Sequence, residues 1–275
     1  MPDFATYRDR YLPQMRMERD AGGVLLATLF ARDGGPFRGD VHHPDFGDYT
    51  YAFADIGSDP RNEVVILHVP FAERHSGGDA SRAAQRDQYG LVAYAQNKPP
   101  LERVTDWYGT AYHGTHYLFN LMDVQVPIIG VVSGHATLHA EVALLSDIVL
   151  SAEDAIFREA HYHGGFVPGD GVQIVWPIFI GMNRARHALL TGKVFTAQEA
   201  LDIGFVHEVW PKDKLLGRAR EIAQGLLNKS PITRRYARMA LTQEIKMKLR
   251  ELLHYGLVME GVGTYDREFR REGKR

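Results

Sequence analysis

The chain of 275 residues is 45% hydrophobic and 24% charged, the balance of an ordinary globular protein with length for one large α/β domain or two smaller ones. Its 32 basic and 34 acidic residues leave a formal net charge of −2, which gives no electrostatic case for binding nucleic acid. Cysteine is absent, which excludes disulfides, thiolate metal ligands and a cysteine nucleophile.

Met1–Asp20 is charged throughout and lacks the apolar core of a secretory signal. Val172–Gly181, the longest apolar stretch, is too short to span a bilayer, so a cytoplasmic protein with no membrane partner is expected. Met15–Glu18 and Val24–Phe30 flank the turn Asp20-Ala21-Gly22-Gly23 and predict a β-hairpin. Arg32–Tyr49, rich in Gly, Pro and Asp, reads as an irregular loop, and Tyr51–Ile56 as a helix. The β-branched run Val64–Val69 (VVILHV) predicts a buried strand, and Phe71–Ser81 a loop around Gly77 and Gly78. Helical stretches follow around Ala83–Ala95 and Trp107–Met122, then a strand over Val126–Val132. A short helix is expected over His139–Leu145, with strands at Asp147–Leu150 and Ala155–Phe157.

His161–Gly171 (HYHGGFVPGDG) combines two histidines and an aspartate with glycines and a proline that break helix and strand alike. Beyond it the chain is mainly helical: Val172–Phe179, Asn183–Leu190, and a helix opened by the capping box Thr196/Glu199 and closed at Gly204. A strand at Val206–Val209, a helix over Leu215–Leu227 and a long helix from Thr233 to about Gly261 complete the chain. No linker divides it.

Four groups stand out chemically. On the last helix Leu249, Leu253 and Leu257 form one stripe, and Glu260 falls within about 20° of Leu249 and Leu253. A carboxyl there needs a donor or a raised pKa, unless the helix frays at Gly261 and frees it to solvent. His139 and Glu141 lie at a helix start, where an imidazole either stabilises an oxyanion or satisfies loop backbone. His135, His139, His161 and His163 make a metal site conceivable, but no HExxH pattern occurs and no further ligand follows His139, so no metal is expected. His161 and Asp170 fit a general base steadied by a carboxylate on its far nitrogen, or a simple turn; spacing alone leaves both open. A serine nucleophile would ask for a GxSxG elbow, and none is present; Ser76 and Ser133 are the serines in glycine-adjacent loops near the middle strands.

VVILHV, HSGGD, VPIIGVVSGHATLHAEVALLSDIVLSAEDAIF and TGKVFTAQEALDIGFVHEV together resemble the crotonase (enoyl-CoA hydratase/isomerase) superfamily. The resemblance implies an α/β fold, a spiral of ββα units over residues 1–210, with a C-terminal helical trimerisation region over 211–275, the whole a single functional unit. A homotrimer or dimer of trimers would follow. In CoA-dependent hydratases two glutamates carry the water chemistry; Glu141 matches the first, and His161 stands in place of the second.

HAEVALLSDIVL, the loop ending in VPGDG and the helix with YGLVMEG look like the narrower 6-oxocamphor hydrolase, or β-diketone hydrolase, branch. That branch cleaves a C–C bond of cyclic 1,3-diketones by a retro-Claisen route without CoA or metal. Its catalytic residues fall on His161, Asp170, His139 and Glu260, with a one-residue contraction in FREAH. The superfamily oxyanion-hole N–H groups map near Ser76 and Leu138, and Glu141 lines the site. A tryptophan that this branch can carry in the N-terminal loop is missing from GGPFRGDVHHPDFGDY, where Phe37, Arg38, His42 or His43 would meet substrate instead. The implied activity is cleavage of a small-molecule diketone, with no cofactor; the alternative is a hydratase or isomerase of a CoA thioester.

Overall fold

The computed structural model describes residues 3–31, 33–38, 47–73 and 100–271. The expected helix around Ala83–Ala95 lies outside them, as do His42, His43 and Ser76.

A short helix α1 (Phe4–Arg10), capped by the Asp3 side chain on the Thr6 N–H, precedes the expected hairpin of β1 (Met15–Arg19) and β2 (Val24–Leu29). Helix α2 (Gly47–Ser58) begins inside the segment read as loop. Next come β3 (Val64–Pro70), α3 (Pro100–Asp123) and β4 (Ile128–Ser133). Three strands follow: β5 (His135–Ala136) before the one-turn α4 (Glu141–Leu144), then β6 (Ile148–Ala152) and β7 (Ile156–Phe157) before the one-turn α5 (His161–Gly164). Helices α6 (Val172–Ile180) and α7 (Met182–Thr191) lead to β8 (Phe195–Thr196), α8 (Ala197–Asp202) and β9 (Glu208–Trp210). The chain closes with α9 (Leu215–Leu227) and α10 (Pro231–Arg271).

The main sheet runs β1-β2-β3-β4-β6-β9, parallel except for the opening hairpin. Its central strands are buried on both faces, which is why they read as continuous apolar runs rather than alternating ones. A second sheet, β5-β7-β8, stands beside it. Thus β4 and β5, then β6 and β7, each contribute one strand to each sheet before turning into a helix, which is the ββα repeat. Gly134 (φ +78°) makes the first step between sheets, and any side chain there would strike the Phe71 carbonyl. Gly130 lets the turn after α4 close onto β4: an added Cβ would lie 2.7 Å from both Ala143 O and Ser146 Oγ.

The Thr196/Glu199 capping box forms as expected, and Gly204 takes φ +83° just past α8. Three expectations are corrected. The segment His161–Gly171 includes one helical turn, the last strand begins two residues later than predicted, and α10 runs past Gly261 to Arg271. Helix α9 covers β3, β4 and β6, while α10 crosses α3 and α6. Arg238 of α10 ties that helix to the sheet by donating from Nε to Asp147 Oδ2 at 2.8 Å and from Nη1 to Met122 O at 3.1 Å.

Candidate active site

Four separate elements deliver polar side chains to one interior spot. His139 sits in the turn between β5 and α4 with φ 52°, a left-handed conformation costly for a residue with a Cβ and typical of functional turns. Glu141 opens α4, His161 opens α5, and Asp170 immediately precedes Gly171, where α6 begins. Gly169 and Gly256 meet backbone to backbone, and a Cβ on either would collide with the other's carbonyl. That contact seats α10 on the loop, and Glu260, one turn further along, comes over His161.

All of these side chains are buried, none more than 6% exposed. The two imidazoles stand edge to face, with centroids 5.3 Å apart and planes at 83°. Asp170 Oδ2 lies between them, 3.1 Å from His139 Nδ1 and 3.4 Å from His161 Nε2. Glu260 Oε1 is 3.7 Å from the same Nε2, and Glu141 Oε1 is 2.9 Å from His139 Nδ1. The structure therefore gathers His139, His161, Asp170, Glu260 and Glu141 in one cluster. Helix α10 continues through Glu260, so its carboxyl stays in the interior rather than fraying into solvent.

The expected role of Asp170 on the far nitrogen of His161 is revised. That nitrogen, Nδ1, is in short contact with Glu159, and Asp170 stands on the Nε2 side. Glu159 is the site residue that sequence reasoning missed; its place two residues before His161 in FREAH was the available signal. Phe37, expected to meet substrate, is buried in the hydrophobic core, where it packs edge-on against Tyr49 and Phe71. Leu138 is buried in the turn just ahead of His139. His163, the other histidine of the loop, lies against Gly192 at the end of α7, away from the cluster.

Burial on its own would lower the His161 pKa, but the carboxylates of Glu159, Asp170 and Glu260 more than reverse this and hold it well above the ordinary imidazole value. Burial, then the charge of Asp170, raises both Glu141 and Glu260 well above the usual carboxyl range. The site thus shifts His161, Glu141 and Glu260 all toward their proton-bound forms. Among the described residues, His139, His161 and Asp170 form a set able to hold a metal ion, with ligand atoms within 4.8 Å of one another. Each imidazole Nδ1 already faces a carboxyl oxygen. Paired imidazoles, a carboxylate between them and carboxyls of raised pKa nearby are equipped to move a proton from water and return it elsewhere.

Known proteins resemble the chain in two ways. Residues 47–273 match the enoyl-CoA hydratase/isomerase family. The chain is 30% identical over 214 residues to a probable peroxisomal enoyl-CoA hydratase 1 of Arabidopsis thaliana, covering 78% of this chain and 72% of that one. It is 30% identical over 182 residues to a carnitinyl-CoA dehydratase of Salmonella enteritidis, covering 66% of this chain and 64% of that one. Among solved structures, a beta-diketone hydrolase from the cyanobacterium Anabaena, bound to (S)-3-oxocyclohexyl acetic acid, superposes with a TM-score of 0.79. It shares 34% identity and covers 98% of this chain and 99% of its own. An enoyl-CoA hydratase/isomerase from Mycobacterium paratuberculosis shares the fold at a TM-score of 0.71 and 21% identity, covering 91% of this chain and 93% of its own.

Proposed function

The chain belongs to the enoyl-CoA hydratase/isomerase family, and we propose that within it the protein is a hydrolase of carbon–carbon bonds, cleaving a cyclic or bicyclic 1,3-diketone to a keto acid. One observation carries the reading: two nearly perpendicular imidazoles share the Asp170 carboxylate in a buried site. The likeness to the Anabaena hydrolase, whose bound ligand is itself a keto acid, supports it.

In this reading His161 takes a proton from water at Nε2, the nitrogen turned toward Asp170 and Glu260. The water oxygen bonds to one carbonyl carbon, whose oxygen becomes an alkoxide. As the alkoxide re-forms its carbonyl, the bond to the central carbon breaks and its electron pair becomes an enolate conjugated with the second ketone. His139 hydrogen-bonds the oxygen of that ketone, a contribution typically worth ~10²–10³ in rate. A proton from the imidazolium then ends on the central carbon. The sum is diketone plus water to keto acid, so neither CoA nor a redox partner enters.

Hydration or isomerisation of a CoA thioester is the second reading, and Glu141 favours it, since this carboxyl stands in the cluster 2.9 Å from His139. One experiment separates the two. The protein is incubated with bicyclic 1,3-diketones and, in parallel, with a short 2-enoyl-CoA, and products are identified by mass spectrometry. Keto acid is expected, with turnover lowered at least ~10²-fold in His161→Ala and Asp170→Asn. Hydroxyacyl-CoA as the sole product would transfer the assignment to the second reading, and unchanged diketone turnover in both variants would sink the mechanism.

A further inference from the structure

Glu159 lies between the end of β7 and the single turn of α5, and is buried at 3% exposure. Its Oε1 accepts the backbone N–H of His161 at 2.7 Å, and the same carboxylate meets the ring at Nδ1, with Oε2 at 3.0 Å. The chain's own backbone therefore anchors the carboxylate, which sits against the imidazole two residues away whatever the neighbouring helices do. Asp170 and Glu260 approach the ring from the opposite side, at 3.4 and 3.7 Å from Nε2, and each arrives on a different element.

A neutral imidazole carries its proton on one nitrogen only, and the hydrogen bond made by one nitrogen decides what the other can do. A carboxylate holding Nδ1–H leaves Nε2 as the basic atom and lowers the energy of the imidazolium formed when Nε2 takes a proton. We propose that Glu159 is the positioning carboxylate of His161, fixing the tautomer that presents Nε2 to water and stabilising the imidazolium that results. Asp170 then serves the reacting side, between the two imidazoles. The proposal rests on the reading of His161 as the base.

The groups facing His161 are Glu159 from its own segment, Asp170 from the loop before α6 and Glu260 from α10, with His139 and Glu141 beyond Asp170. Glu159→Gln removes one charge from this set and keeps the side-chain shape. In it, kcat for diketone cleavage should fall by about 10²–10⁴ with KM little changed, because the lost interaction belongs to the imidazolium and not to bound substrate. The acid limb of the pH–kcat profile should move to lower pH. Glu159→Asp keeps the charge, and should recover part of the rate and return the limb toward its wild-type position.

A measurement without substrate separates this proposal from the activity it builds on. Nitrogen-15 spectra of the labelled wild-type protein, with His161 assigned by comparison with His161→Gln, should show Nδ1 carrying a proton throughout the range in which Nε2 titrates. That result supports the role of Glu159 even if no diketone is turned over, in which case only the proposed function fails. An Nδ1 that is unprotonated in the wild type overturns the proposal, as does a Glu159→Gln variant with unchanged kcat and unchanged His161 titration.

Discussion

The carboxyl of Glu260 keeps its proton well above the ordinary range, through burial first and the Asp170 charge second. Above about pH 4.3 the unfolded chain has released that proton while the folded chain retains it, so stability declines with rising pH until the folded value is reached. Glu260→Gln abolishes this titration. Thermal unfolding should show the variant gaining on wild type as pH rises from about 5 to 8, while diketone cleavage falls. A difference in Tm that stays constant across that range would argue against a protonated Glu260. His161 has the same direction of shift with the opposite consequence for its charge: the base form accumulates only above the raised value. Accordingly kcat should climb with pH through an apparent ionisation above the ordinary 6.5, and Asp170→Asn should bring that limb down. A wild-type limb at or below 6.5 would contradict an imidazolium in the resting site. Glu260 was legible beforehand because Leu249, Leu253 and Leu257 are all buried, and helical periodicity carries the carboxyl inward with them. Glu159 was not, since it sits in a segment of neither helical nor strand period, where no face rule brings a side chain back onto the residue two ahead. The loop showed His161 and Asp170 but left a simple turn equally open, and the resemblance supplied the pair; which nitrogen Asp170 approaches depends on ring orientation, which only three-dimensional contacts decide.

Helix α10 and the loop before α6 touch through glycines, and the site depends on that contact. In Gly256→Ala the new methyl would meet Gln173 and the Gly169 backbone, pushing α10 off the loop. A displacement on the order of 1 Å at Glu260 should lower kcat on the order of 10²-fold. Helix content by circular dichroism should be unchanged or higher, alanine being the better helix former. Full activity in Gly256→Ala would show that the close approach is not what positions Glu260. The same contact logic explains why the helix end was misplaced from sequence. Gly261 looked like a stop signal, but the Trp107 indole lies against it, and Val167 lies against Gly263 two residues on. These glycines make room for neighbours, and the backbone continues through them.

The order of strands and helices over the middle of the chain followed from apolar runs and turn residues, and the main sheet follows that order. Its division into two sheets was not legible, because β5, β7 and β8 are two residues each and show no period. Along α10, Tyr236, Met239, Leu241, Met247, Leu252, Tyr255, Val258, Met259 and Val262 are exposed, more apolar surface than a helix leaves in water without a partner. We propose that this face joins copies of the chain, so light scattering should return three or six times 31.0 kDa. A mass of one chain would refute the proposal. Glu260 shares its helical turn with Val258, Met259 and Val262, three of those exposed residues. One rod therefore carries the buried carboxyl of the candidate site on one side and the proposed contact strip on the other. Rate per mole of enzyme then becomes a function of enzyme concentration: below the dissociation range, dilution alone should make each molecule slower, by mass action and with no inhibitor present.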